Sequence, residues 1–258
     1  MSNTTIFDSR YTKLKTIDWN FQDVSQDALA NIHPYPARFI PDIPRELISA
    51  LGCAKGSVVL DPFCGSGTTL VEAQRAGFDA VGIDLNPIAC LISSVKTQPL
   101  PEKYLCTAKE IYKDAKETFS GPVEIPSIPN LDHWFKSDIQ KALSSILNHI
   151  EEESDAAMRN ALKLALSSII VRVSNQESDT RYAAVDNNYT ADDVFNAFLS
   201  ACKKIHDAKK EICVDSASNK IINQDILTVT SSDFNKSVGL AITCLLYTSP
   251  SPRDMRRS

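Results

Sequence analysis

The sequence contains no apolar run long enough to span a bilayer and no patterned set of cysteines. Its longest apolar stretches, such as Leu162–Val171, are too short for a membrane helix, and Met1–Arg10 lacks the apolar core of a signal peptide. The seven cysteines include no C-x-x-C pair, and the four histidines lie far apart, which argues against a disulfide framework and a metal site. We therefore expect a cytoplasmic protein with reduced thiols, no metal and no membrane partner.

Glycine is scarce and the chain is mildly acidic. The formal net charge of -5 excludes a uniformly basic nucleic-acid coat protein, although it leaves room for a local basic groove. Only eight glycines occur in 258 residues, so a pair of them in one turn is informative. The length is sufficient for one sizeable α/β domain.

Alternating strand and helix signals begin after a proline-rich segment, His33–Pro44, that we expect to be extended or turning. Strands are predicted at Ser57–Asp61 and Asp79–Asp84, because both are short apolar runs. The predicted helices are Asp42–Leu51, ended by Gly52, Thr68–Ala76, ended by Gly77, and one that Asn86 caps and Pro87 begins. This β-loop-α-β-α order predicts a doubly wound parallel sheet.

Helical periodicity dominates from Gln98 to Ser218, without a convincing strand, and predicts a helical insertion in the sheet domain. Two further strands are predicted at Lys220–Ile226 and Val238–Thr243. The expected organisation is an arm (1–32), a first half of the sheet domain (33–97), the insertion (98–218), further strands (219–243) and a tail (244–258). The Ser/Pro/Arg-rich tail resembles translated adapter sequence, so we expect it to be foreign and the domain to be truncated; a genuine disordered basic tail is the alternative.

The segment Asp61–Thr69 carries the strongest motif. Gly65 and Gly67 stand where a strand passes into a helix, so the backbone can approach a ligand closely, and the free N–H groups of the helix suit a carboxylate. S-adenosylmethionine offers such a carboxylate, an amino group for Asp61 and a ribose. The third small residue of the nicotinamide fingerprint is replaced by Leu70, and the lysine of a phosphate-binding P-loop is absent.

Two further acids follow predicted strands. Asp84 lies 23 positions after Asp61, where a bidentate carboxylate suits a ribose diol, and capping the next helix is its alternative role. Asp225 is a candidate acceptor for an adenine amino group, with Ile226 packing on the ring, although a surface-turn aspartate fits the same position.

The run Asp61-Pro62-Phe63-Cys64-Gly65-Ser66-Gly67-Thr68-Thr69, followed by Gly82–Pro87, resembles the cofactor motifs of the amino-directed DNA methyltransferases, the cytosine-N4 and adenine-N6 enzymes. His33–Phe39 is similar to the segment that closes over methionine in some members. The resemblance covers roughly residues 30–243 and implies a Rossmann-like sheet that binds S-adenosylmethionine. The cofactor residues so indicated are Tyr35, Phe39, Asp61, Pro62, Phe63, Gly65, Ser66, Gly67, Thr68, Asp84, Leu85, Asn86, Asp225 and Ile226.

The catalytic motif that the family carries, Ser/Asp/Asn-Pro-Pro-Tyr/Phe, should follow Thr243 and does not. Its oxygens accept from the base amine and its aromatic residue stacks on a flipped base. We therefore assign no catalytic residue and expect this chain to be inactive alone. Cys64 is interpreted as a packing residue, because no cysteine follows a proline as in the cytosine-C5 enzymes.

The insertion has two interpretations. Val173–Tyr182 is similar to an inserted element of the same family, and its polar, aperiodic run predicts a loop with a function. Arg172, Arg181 and Tyr182 are candidate contacts to phosphate or to a flipped base. The alternative is a packed cover for the sheet with a solvated loop.

Together these features predict a DNA methyltransferase that modifies cytosine N4 or adenine N6, with restriction–modification proteins as possible partners. An RNA base amino-methyltransferase and a non-catalytic S-adenosylmethionine-binding subunit are the alternatives. A nicotinamide oxidoreductase is a more remote one.

Overall fold

The computed structural model describes residues 11–21, 27–36, 38–178, 181–185, 187–210 and 217–245, and for 178, 181 and 182 it describes the backbone alone. Their contacts divide these residues into two compact units. The sheet unit comprises the described residues within Met1–Gln26, Tyr35–Thr97 and Val214–Ser258, and the helical unit those within Asp27–Pro34 and Gln98–Cys213.

The sheet unit alternates strands and helices as the sequence predicts. Residues 11–15 are helical, within a segment expected to be an irregular arm. The elements that follow are α1 (Asp42–Leu51), β1 (Val58–Asp61), α2 (Thr68–Arg75), β2 (Ala80–Asp84), α3 (Pro87–Thr97), β5 (Asn219–Asn223) and β6 (Val238–Ala241), with short 3-10 helices at Ile226–Thr228 and Ser231–Asp233.

The four strands form one parallel sheet in the order β5-β2-β1-β6. Adjacent residues of a strand serve opposite faces, because side chains alternate along it. Val59 joins a buried cluster with Ile48 of α1 and Leu70 of α2, whereas Val58 joins another with Ile83 and partly buried residues of the 3-10 region. The Rossmann-like α/β class is confirmed, and all four carboxyl ends lie at one edge.

The helical unit is built on long amphipathic helices with fully buried aromatic side chains, such as Tyr104, Phe195 and Phe198. Its helices are α4 (Tyr104–Thr118), α5 (Leu131–Trp134), α6 (Ser137–Glu151), α7 (Ala156–Ile169) and α8 (Ala191–Lys210), and a 3-10 turn lies at Leu29–Asn31. Residues 27–34 join this unit because Leu29 and Ile32 are buried and His33 Nε2 lies 3.0 Å from Ser167 Oγ. The domain boundaries predicted from the sequence place these residues in the arm and the sheet domain, outside the insertion.

A hairpin corrects the expectation that no strand interrupts the helices and that this polar run is a loop. β3 (Gln176–Ser178) pairs antiparallel with β4 (Arg181–Ala184). Its base is fixed by backbone contacts: Asn175 N donates to Trp134 O at 2.7 Å, and Val185 N donates to Asn175 O at 2.7 Å. Polar side chains gave no alternating pattern from which this pairing could be predicted.

Among the described residues, no helix combines the length and the apolar character needed to cross a membrane.

Candidate cofactor site and nucleic-acid contacts

The loop after β1 is held to β2 by hydrogen bonds from its backbone N–H groups. Cys64 N donates to Ile83 O at 2.9 Å, and Gly65 N donates to Asp84 Oδ2 at 2.8 Å. The turn closes with Gly67 N donating to Cys64 O at 2.8 Å, immediately before α2 begins. The motif loop is therefore held in a fixed conformation at the carboxyl edge of the sheet.

A cleft opens beside this loop. It is lined by Tyr35, Arg38, Phe39, Asp61, Phe63, Cys64, Gly65, Ser66, Thr68, Thr69 and Cys244. Seven of the predicted cofactor residues are thus brought together, and Arg38, Cys64, Thr69 and Cys244 are additions. Thr69 was within reach of sequence reasoning, because it belongs to the first turn of α2 beside the predicted Thr68.

Tyr35 covers the first motif glycine. A Cβ on Gly65 would lie 3.4 Å from Tyr35 Cε1, and Gly65 has a φ of +49°. Burial raises the pKa of Tyr35, and the neighbouring Asp84 raises it further, while a hydrogen bond with Asn86 lowers it. The tyrosine is accordingly a neutral, oriented wall of the cleft.

Glycine is required at position 67 for a reason that differs from the predicted close approach of a ligand. Its φ is +77°, and a Cβ there would lie 2.8 Å from Ser93 Oγ and 3.0 Å from the Cα of the same residue. The space is therefore occupied by α3, and Gly67 is not among the residues that line the cleft. Glycine is needed here for helix packing and for the left-handed turn.

Asp61 is the buried acid of the cleft, with 3% of its surface exposed. Burial raises its pKa to about 6, although the Thr69 hydroxyl, the backbone N–H of Phe63 and the Thr243 hydroxyl lower it. The Phe63 N–H donates to Asp61 Oδ1 at 3.2 Å. Above that pKa the cleft holds a poorly solvated negative charge that favours a cationic partner.

Thr69 carries an unsatisfied group. Its Oγ1 is buried and lies close enough to Asp61 to lower the pKa of that carboxyl, but it forms no hydrogen bond of regular geometry with a described residue. Thr69 lies at the first turn of α2 and lines the cleft. The first N–H groups of a helix also lack intrahelical acceptors. Buried polar atoms are rarely left unpaired, so this end of the cleft is suited to an acceptor such as a carboxylate.

Asp84 uses both carboxylate oxygens within the protein. Oδ2 accepts from Gly65 N, and Oδ1 accepts from Asn86 N at 2.8 Å. Asn86 in turn caps α3, because its Oδ1 accepts from Ile88 N at 3.0 Å, which confirms the predicted cap. Each carboxylate oxygen retains further lone pairs for a hydroxyl ligand, and the neighbouring Leu85 side chain is 68% exposed.

The third predicted acid has a structural role. Asp225 is exposed, and its Oδ1 accepts from Leu227 N at 3.0 Å, which caps the 3-10 turn. Ile226 packs against the cluster that contains Val58, so its side chain serves the core. The neighbouring Leu227, 88% exposed, is the apolar side chain that this turn presents to solvent. Pro62, also a predicted cofactor residue, is half-buried and does not line the cleft.

The predicted nucleic-acid residues belong to the helical unit. Arg172 is exposed just after α7. Arg181 and Tyr182 lie in β4, but their side chains are outside the described part of the structure. The predicted foreign tail lies outside it from residue 246 onward. Among the described residues, no group of three or more His, Cys, Asp and Glu side chains is placed to hold a metal ion.

Comparison with known proteins places these features in context. Residues 5–94 match the sequence model of a family described as DNA methylase. The chain is 31% identical over 157 residues to the Type II methyltransferase M.MvaI of Kocuria varians. This match covers 57% of this chain and 35% of that protein. It is 26% identical over 174 residues to the Type II methyltransferase M.BsoBI of Geobacillus stearothermophilus. This match covers 65% of this chain and 33% of that protein.

A shorter region of the chain is similar to an enzyme that modifies tRNA. The tRNA (guanine(10)-N2)-dimethyltransferase of Methanothermobacter thermautotrophicus is 38% identical over 52 residues, which is 20% of this chain and 16% of that protein. The matches to M.MvaI and M.BsoBI span about a third of the length of each of those relatives. No solved structure matches the chain.

Proposed function

We propose that this chain belongs to the DNA methylase family of amino-directed methyltransferases, and that its sheet unit binds S-adenosylmethionine as the methyl donor for an exocyclic amino group of DNA, at cytosine N4 or adenine N6. When bound, this cofactor supplies a methyl group on a positively charged sulfur. Everything else that the proposal requires of the sheet unit is recognition and orientation.

The observation that carries the proposal is the pairing of two unlike polar groups in one cleft. Asp61 offers a buried carboxylate, which suits the amino group of methionine, while Thr69 offers a buried hydroxyl that forms no hydrogen bond of regular geometry with a described residue and can donate to the carboxylate. An amino acid moiety carries both charges, so it matches this cleft better than a phosphate would.

Further residues would orient the rest of the cofactor. Asp84 is fixed by two backbone N–H groups and has remaining lone pairs for the ribose hydroxyls. Tyr35 and Phe63 would pack beside the ligand, because both line the cleft and Phe63 is 45% exposed. For the adenine we propose Leu85 as an apolar neighbour, since its side chain is exposed beside Asp84.

The substrate assignment rests on the relatives. M.MvaI and M.BsoBI are named Type II methyltransferases, so we propose a role in DNA modification paired with a restriction enzyme. An RNA base amino group is the second candidate, supported by the match to the tRNA dimethyltransferase over 52 residues. Both candidates require the same cofactor site.

Ligand-induced stabilisation tests the cofactor site. S-adenosylhomocysteine at about 100 times its Kd should stabilise the chain by about 2.7 kcal/mol, and Asp84→Ala should remove most of that shift. Asp79→Ala is the matched control, because Asp79 precedes the other end of β2 and pairs with Lys236 outside the cleft. Stabilisation by NADH instead, or an equal loss in both variants, would refute the assignment.

A further inference from the structure

A second concavity lies within the helical unit. It is a groove lined by Ile32, Pro34, Ser168, Ile169, Arg172, Ala197, Ser200, Ala201 and Lys204. All of these residues belong to that unit. Its lining contains two cations and no acid.

The floor of the groove is one face of α8. Three residues follow Ala197 at spacings of three, four and seven positions, namely Ser200, Ala201 and Lys204. All four therefore lie along one side of the helix. Their small side chains leave room above the helix, and Lys204 stands at the end of the row. The groove thus combines an open floor with a charge at its margin.

Neither cation is neutralised locally. Arg172 and Lys204 are exposed, and neither forms an ion pair or a hydrogen bond with any residue in the described part of the chain. The pKa of Asp193 is lowered mainly by hydrogen bonds from Thr190 and, less strongly, by the charge of Arg172. That carboxylate is already engaged, because its Oδ2 accepts from the backbone N–H and the hydroxyl of Thr190.

We propose that this groove binds the phosphodiester backbone of the DNA substrate, with Arg172 and Lys204 contacting phosphates. The inference rests on the proposed function for its substrate class. A groove with two cations that have no ion-pair partner among the described residues, with the exposed hydroxyl of Ser200 and with apolar walls is complementary to phosphates joined by sugars. Its contribution is to hold the nucleic acid rather than to select its sequence.

The salt dependence of DNA binding tests the groove. Fluorescence anisotropy of a labelled 20-base-pair duplex with the full chain is measured between 50 and 200 mM KCl. Arg172→Gln and Lys204→Gln should each reduce the slope of log K against log salt by about 0.9, which is the value for one lost phosphate contact. Each should weaken binding several-fold at the lowest salt.

Lys203→Gln is the matched control. Lys203 is exposed and adjacent to Lys204 on α8, but it does not line the groove. It carries the same charge, so its removal changes the net charge equally and should leave the slope unchanged. An equal slope change in Lys203→Gln, or no binding of duplex DNA, would overturn the proposal, as would tighter binding of a duplex RNA of the same sequence.

The same samples separate this inference from the cofactor assignment. Stabilisation by S-adenosylhomocysteine should be the same in Arg172→Gln and Lys204→Gln as in the unaltered chain. Stabilisation without the predicted salt effects would refute the groove alone. The predicted salt effects without stabilisation would refute the cofactor site alone.

Discussion

The cleft of the sheet unit and the groove of the helical unit present their charged groups in opposite ways. In the cleft, Asp61 is 3% exposed and Asp84 is held by two backbone N–H groups. In the groove, Arg172 and Lys204 are exposed and unpaired among the described residues. A small zwitterionic ligand is recognised by fixed, partly dehydrated groups, whereas a long polyanion is bound by exposed cationic side chains that can adjust to the positions of its phosphates.

The largest effect is expected where the cleft loop packs on α3. Gly67→Ala should destabilise the chain by about 2–4 kcal/mol, because it adds left-handed strain and forces a Cβ against Ser93. Gly77→Ala is the control: its φ is also +77°, but nothing lies within 4 Å of the added Cβ. It should cost about 1–2 kcal/mol.

Urea denaturation of both variants measures the difference between them. Equal losses would mean that the turn conformation alone requires glycine at position 67. A larger loss for Gly67→Ala would attribute the excess to packing against α3.

A pH-dependent effect is expected next, at Asp61. Its pKa is raised from 3.8 to about 6 in the folded chain, so the folded state binds more protons than the unfolded state between those values. Stability must therefore fall as pH rises through this window, by about 1 kcal/mol between pH 5 and 7.5. Asp61→Asn removes this contribution.

The comparison is made by urea denaturation of both proteins at the two pH values, so that other titrating groups cancel. The unaltered chain should lose stability relative to Asp61→Asn on going to pH 7.5. A constant difference between the two proteins would show that Asp61 is not buried as an acid.

A smaller effect is expected at the unsatisfied hydroxyl. Thr69→Val keeps the side-chain shape and removes an oxygen that lies near Asp61 but forms no hydrogen bond of regular geometry with a described residue. The unliganded chain should change in stability by less than about 1 kcal/mol, while affinity for S-adenosylhomocysteine should fall about fivefold. Isothermal titration together with urea denaturation gives both quantities. A large loss of stability with unchanged affinity would assign Thr69 to the fold alone.

The smallest effects on stability are expected in the groove. Arg172→Gln and Lys204→Gln remove exposed charges that form no ion pair within the described part of the chain, so each should change the free energy of unfolding by less than about 0.5 kcal/mol. Thermal denaturation without ligand measures this. A loss of 2 kcal/mol in either variant would show that the cation supports the fold, and the contrast between cleft and groove would disappear.

The elements around the cofactor motif were predictable because their signals are local. Gly52 ends α1, Asn86 caps α3, and the apolar runs of β1 and β2 lie within a residue of their predicted bounds. The hairpin at Gln176–Ala184 was missed, because a backbone contact with Trp134, 41 residues earlier than Asn175, fixes its base. Such a contact leaves no periodic pattern in the side chains.

The site residues divide in the same way. The order of Asp61, Gly65 and Asp84 along strand ends was enough to place them at one edge of a parallel sheet. The role of Gly67 depends on Ser93, and the role of Asp225 depends on the turn that it caps. Both depend on what lies beside the residue in space.

The sequence by itself determined the class of the sheet, the alternation of strands and helices around the motif, and the acids Asp61 and Asp84 that end β1 and β2, because turn chemistry and apolar periodicity act over a few residues. Only the tertiary structure decided which of those acids is buried, which hydroxyl forms no hydrogen bond of regular geometry with a described residue, and that Lys204 shares a groove with Arg172. Desolvation and ion pairing depend on distant segments that fold against a residue, and these segments are brought together only when the chain has folded.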